Sequence, residues 1–117
     1  MKKLLFIFFL LSIALPAEAK RKHPEKWYQQ QFCDGLQEVR LSDGTRVDCL
    51  TDEYAVEFDF ANKWAEAIGQ SLHYARMSGK KPGIVLIAES KKDWKYLLIS
   101  SRLCEIYGIT LWVVLNF

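Results

Sequence analysis

Two unbroken apolar runs, IVLIA at residues 84–88 and LWVVL at residues 111–115, constrain this chain more than any other feature. A strand with one face in water alternates apolar and polar side chains, so a run without alternation predicts a strand covered on both faces. Helical stretches flank the runs. Asn62 to Ser78 precedes the first, with Asn62 as N-cap and Gly79 as C-cap. Asp93 to Tyr107 lies between them and is stopped by Gly108.

Upstream the pattern changes. PEKWYQQQFC, residues 24–33, reads as a short helix with Pro24 near its first turn, ended by Asp34-Gly35. Glu38 to Leu41 alternate as a strand, Ser42-Asp43-Gly44 is a hairpin turn, and TRVDCLT, residues 45–51, is its partner. After the turn at Asp52-Glu53, Tyr54 to Phe60 form a third strand of an antiparallel meander. The expected fold class is α/β (α+β): helix, three-strand meander, helix, strand, helix, strand, with a mixed sheet flanked by helices.

The first residues stand apart. Lys2 and Lys3 precede an apolar run from Leu4 to Leu15, and Ala17-Glu18-Ala19 offers small residues at a cleavage position. This is the three-part pattern of a secretory signal, and the run is shorter than the roughly 20 residues of a membrane span. The expected division is a signal peptide over residues 1–19 and one domain over residues 20–117, in a periplasmic or secreted protein. A mis-assigned start codon would instead make the protein cytoplasmic. In an oxidising compartment, three cysteines allow one disulfide and one leftover thiol. Cys33 with Cys49 is the favoured pair, against the alternative of three buried thiols. The cysteine spacing is not that of a zinc site. The formal net charge of +2 neither demands nor excludes nucleic acid, and Lys20-Arg21-Lys22, Lys80-Lys81 and Lys91-Lys92 read as solvated ends and turns.

The third strand carries the chemistry. Val56, Phe58 and Phe60 alternate with Glu57 and Asp59, which share the opposite face. Asp48, on the preceding strand, points away from Val47 and Cys49 and is expected to join them across the pair, about 5 Å away. Clustered carboxylates cost several kcal/mol when buried without compensation, a cost that a hard divalent cation removes. On the following helix, at roughly 100° per residue, Lys63, Ala67, Gln70 and Tyr74 form one stripe. Trp64, Ile68, Leu72 and Ala75 form the stripe expected in the core, and Asn62, Glu66 and His73 face solvent.

Asp48, then Glu57, then a lysine, in helix–β–β–β–helix–β order, resembles the PD-(D/E)XK nuclease superfamily, with its restriction-endonuclease-like core. Gln70 and Tyr74 match the Q-x-x-x-Y spacing of its exonuclease and resolvase branches. The resemblance runs from about Glu38 to Phe117. It implies phosphodiester hydrolysis of nucleic acid, DNA ahead of RNA, with Mg²⁺ (or Mn²⁺) held by Asp48 and Glu57. Asp59 is then a third ligand, Lys63 the water-orienting amine, Gln70 a hydrogen-bond partner of water or phosphate, and Tyr74 a brace. Glu38 is a weaker acidic candidate, and His23 and His73 take no part. A homodimer is the assembly that a two-strand cut would ask for. The sequence departs from the family pattern at position 59, where the E-x-K lysine is replaced by Asp59 and the nearest lysine is Lys63. The alternative implied by that departure is a catalytically degenerate, exported binding module.

Overall fold

The computed structural model describes residues 20–117, so the expected signal segment Met1–Ala19 lies outside the described residues. The elements are α1 (Glu25–Phe32), β1 (Leu36–Arg40), β2 (Arg46–Leu50), β3 (Tyr54–Phe60), a 3-10 turn (Ala61–Lys63), α2 (Trp64–Ser78), β4 (Lys81–Ala88), a second 3-10 turn (Lys91–Asp93), α3 (Trp94–Tyr107) and β5 (Thr110–Leu115). They build an α+β fold around one five-stranded mixed sheet in the order β1-β2-β3-β4-β5. Neighbours in β1, β2 and β3 run antiparallel, while β3, β4 and β5 run parallel.

Two parallel crossovers step in the same direction across the sheet. Right-handed connections therefore put α2 and α3 on one face. There Ala67, Leu97 and Cys104 pack on Ile84, Leu86 and Ala88. The opposite face is covered by α1, whose fully buried Tyr28 meets Cys49, Val56, Phe58, Phe60, Val85 and Ile87. The Tyr28 hydroxyl donates to Glu89 at 2.6 Å and accepts from Asn116 Nδ2 at 3.0 Å, which ties α1 to the ends of β4 and β5. β4 is thus buried on both faces, as its apolar run implies.

Several expectations are corrected. β5 is an edge strand, and Trp112, Val113 and Leu115 are each more than 40% exposed, so its apolar run does not mark a doubly covered strand. An edge and a centre cannot be told apart by hydropathy alone. The helix after β3 begins at Trp64, because Ala61–Lys63 first form a tighter 3-10 turn that contains Asn62, so Asn62 is not its N-cap. The buried line on α2 is Ala67, Ser71 and Tyr74, while Leu72 is exposed. The helix is therefore rolled so that the stripe assigned to the site is partly in the core. Gly79 does close α2 in the left-handed conformation, with φ of 71°.

The Cys33–Cys49 disulfide joins the end of α1 to β2, and Cys104 is a buried free thiol. Gly35 follows at a close approach. A Cβ there would stand 2.1 Å from the Leu50 carbonyl oxygen, so only glycine lets the chain turn back from the disulfide into β1. Among the described residues no helix is long and apolar enough to cross a membrane.

The bridge closes a loop between residues 16 apart, which restricts the unfolded chain by about 3 kcal/mol. Replacing Cys33 and Cys49 together by serine is expected to lower stability by about that amount, read as a shifted urea midpoint against the oxidised wild type.

Candidate functional site

The site is made by an interruption of the sheet. β2 and β3 pair at only two positions, Cys49 with Val56 and Leu50 with Ala55, although β3 is seven residues long. Beyond Val56 the two backbones part, and a side chain takes over the missing acceptor: Asp48 Oδ2 receives the Phe58 amide at 2.8 Å. The divergence also explains Val47. It packs with Ala55 and Tyr74, in a different cluster from Cys49, so the two residues flanking Asp48 do not share one face as the alternation predicts.

Asp48, Glu57 and Asp59 lie near enough to feel one another's charges, and two residues that the sequence does not reveal lie with them. The Glu57 and Asp48 carboxyls are neighbours that feel one another's charge, and Gln29 of α1 lies beside Asp48. Glu25, one turn earlier on α1, lies beside Asp59, and its carboxylate accepts from Gln29 Nε2 at 3.4 Å. Glu25 and Gln29 are spaced i,i+4 and so face one way. That spacing was the available signal, but nothing local showed that α1 would lie against this part of the sheet.

The electrostatics follow from packing. Glu57 and Asp59 are buried, at 5% and 4% exposure. Burial raises the Glu57 carboxyl far above its ordinary range, and the charges of Asp48, Asp59 and Glu25 add to the effect. Asp48 is likewise raised by burial, against the opposing pull of the Phe58 amide. Asp59 is raised to about 6 by burial, restrained by the Lys63 ammonium and the Phe60 amide. Glu25 is raised to about 7 by burial and then by Asp59 and Asp48. Near neutrality these acids hold protons between them, because four carboxylates cannot all be charged in so small a space.

Lys63 is exposed on the 3-10 turn, and its charge is felt by both Asp59 and Glu25. Tyr74 is buried beside the cluster, its hydroxyl pushed up to about 12 by burial and then by Glu57 and Asp48. Gln70 is exposed and makes no hydrogen bond among the described residues. Glu38 adopts a left-handed φ of 54° opposite Asp48, and its charge reaches both Asp48 and Tyr74. His73 pairs with Asp43 at 2.6 Å, and His23 stacks on Trp27, so neither enters the cluster.

The donor set suits a hard divalent cation, since every side chain offered is an oxygen ligand. One observation favours that fit. Glu57 Oε2 is buried and has no hydrogen-bond partner, and an orphaned carboxylate oxygen needs a counterpart. Among the described residues, no group of three Asp, Glu, His or Cys side chains is placed so that it could hold a metal ion, Asp48, Glu57 and Asp59 included. Carboxylates that share protons would have to release them to bind a cation. Comparison of the chain with protein-family models, with curated proteins and with solved structures finds no match.

Each raised carboxyl binds its proton more tightly folded than unfolded. By linkage its contribution is complete below the unfolded pKa and is lost as pH rises through the folded one. In chelator, stability is therefore expected to fall from about pH 4 upward, through about 6 for Asp59 and about 7 for Glu25 and on toward about 10 for Glu57. Urea unfolding across that range should show the fall, and Glu57→Gln should flatten it and raise stability at its alkaline end.

Proposed function

We propose that the protein is a metal-dependent nuclease of the PD-(D/E)XK type, hydrolysing phosphodiester bonds in nucleic acid. The observation that carries this reading is the convergence of Asp48, Glu57 and Asp59 beside Lys63, with a buried Glu57 oxygen left without a partner. The topology supports it in outline. An antiparallel meander runs into a parallel βαβ unit, and the acids lie on the second and third strands.

Asp48 and Glu57 would hold a divalent ion, Mg²⁺ or Mn²⁺, with Asp59 as third ligand. When bound, the ion supplies a Lewis acid and lowers the pKa of coordinated water. The chain's own residues do the rest. The Phe58 amide fixes one Asp48 oxygen, so that its other oxygen is free to face the ion. Glu25, beside Asp59 and partly buried, stands where it could serve as acid or base toward the attacking water or the leaving oxygen. Lys63, exposed at the rim, places a positive charge where negative charge builds on the phosphorane-like oxygens. Tyr74 stays protonated at its high pKa and walls the cluster. Gln70, exposed one turn before Tyr74, meets substrate phosphate at the mouth rather than the cluster itself.

The Cys33–Cys49 disulfide supports export to an oxidising compartment, which agrees with a signal peptide over residues 1–19. A second reading, a binding module that has kept the fold without catalysis, is favoured by Asp59 at the position of the motif lysine and by the exposure of Lys63.

Asp48→Asn and Glu57→Gln are each expected to reduce Mg²⁺-dependent cleavage of DNA by about a thousandfold or more, and Lys63→Ala by about a hundredfold. Gel assays of plasmid and oligonucleotide substrates measure this. Wild-type protein that cleaves neither DNA nor RNA with Mg²⁺ or Mn²⁺ would leave the binding-module reading standing.

A further inference from the structure

The lysines and arginine on either side of the fold's central strands are brought together by topology. Residues 20–22 enter beside the carboxyl ends of β4 and β5. The Lys22 amide donates to Glu89 at 3.0 Å, and Lys22 Nζ donates to the Asn116 carbonyl at 2.6 Å. The 3-10 turn that leads into α3 supplies Lys91 and Lys92, and the first turn of α3 supplies Lys95. Together with Asn62 most of these residues line a cleft of about 290 Å³.

The balance of charge there is one-sided. Lys20, Arg21, Lys22, Lys92 and Lys95 line the cleft with only Glu89 and Asp93 as acids, and Lys91 stands next to them on the same turn, while the remainder of residues 20–117 holds more acids than bases. Glu89 is already engaged by the Tyr28 hydroxyl and the Lys22 amide, and Asp93 by the capping box it forms with Ser90. Among the described residues only Arg21 of the six has its side-chain cation within 4 Å of a carboxylate, at 3.8 Å from Glu89. The positive charge is therefore uncompensated and exposed.

Arg21 joins this cleft to the carboxylate site. Its guanidinium lies 3.8 Å over the Phe60 ring and donates to Asn62 Oδ1 at 2.8 Å. Phe60 follows Asp59, and Asn62, which lines the cleft, precedes Lys63, so the cleft adjoins the segment of chain that carries Asp59 and Lys63. A strand held along this path would bring a phosphate to the acids. The same path screens the repulsion between their negative charge and the nucleic acid backbone.

We infer that this cleft is a backbone-binding subsite that holds the phosphates of DNA flanking the scissile bond. The inference rests on the nuclease reading for its orientation, but not for the binding itself. A concave basic surface suits an extended polyanion more than the flat face of a bilayer.

The test uses Lys91→Gln, Lys92→Gln and Lys95→Gln combined, with Lys80→Gln and Lys81→Gln combined as a control at the far end of the molecule. Circular dichroism first checks that each variant is folded as the wild type. Fluorescence anisotropy then follows binding of a short DNA duplex through a NaCl titration, with Ca²⁺ replacing Mg²⁺. The triple variant is expected to bind about tenfold more weakly and to lose about two to three units from the slope of log K against log salt. The control is expected to change neither. Triple-variant binding equal to wild type overturns the cleft assignment, and cleavage lost in Asp48→Asn would still leave the nuclease reading intact. Binding that depends on the three lysines in a protein that cleaves nothing supports the cleft and removes the nuclease reading instead. Unaltered DNA binding, with loss of binding to phosphatidylglycerol vesicles, assigns the surface to lipid and overturns the proposal.

Discussion

A single side chain standing in for a backbone carbonyl organises the centre of this protein. Where β2 turns away from β3, the Phe58 amide would be left without an acceptor inside the sheet, and Asp48 supplies one. A buried amide without a partner costs as much as a lost hydrogen bond. The replacement therefore lets the strands part at small expense. Parting them opens the space in which Glu57 and Asp59 face Asp48 and which α1 reaches with Glu25 and Gln29. Were β2 and β3 to stay paired in this register, the acids would lie in rows on an ordinary sheet surface.

The energetic tension of the site is settled at its boundary. Glu57 and Asp59 lie in the sheet, where a charged group is expensive, and their partners come from three directions: a neighbouring strand, a helix across the sheet, and the turn that precedes α2. Only the last of these is positive and exposed. The cluster can therefore change its charge by gaining or losing protons, as its raised carboxyls imply. That freedom is a property expected of chemistry more than of a structural ion pair, which works by keeping its charge constant.

Much of this was legible in the residues themselves. Alternation in YAVEFDF placed two carboxylates on one face, and the hairpin turn at Ser42 to Gly44 fixed which strand lay beside them. The order of elements along the chain and the α+β class followed from where helical periodicity interrupted apolar runs. What escaped was set by distance in sequence. Glu25 and Gln29 belong to a helix whose only local message is a short amphipathic turn, and its place on the sheet depends on Tyr28 reaching Glu89 and Asn116, far along the chain. The roll of α2 escaped for a related reason. Ala67 and Ser71 are small enough to sit against the sheet, so burial followed close approach rather than hydrophobicity, and Leu72 was left outside. The exposure of β5 escaped because a run of apolar residues has the same appearance at the centre of a sheet and at its margin.

The odd cysteine is protected by the sheet itself. Cys104 is packed beneath α3 among Ile84, Leu86 and Ala88, whereas Cys33 and Cys49 lie on the other side, beside α1. Burial also raises its pKa, which keeps it in the unreactive thiol form. An attacking sulfur would have to cross a layer of backbone to reach the bond. The native crosslink, once made, is thereby insulated from internal scrambling, and mispairing is confined to the interval before the strands assemble.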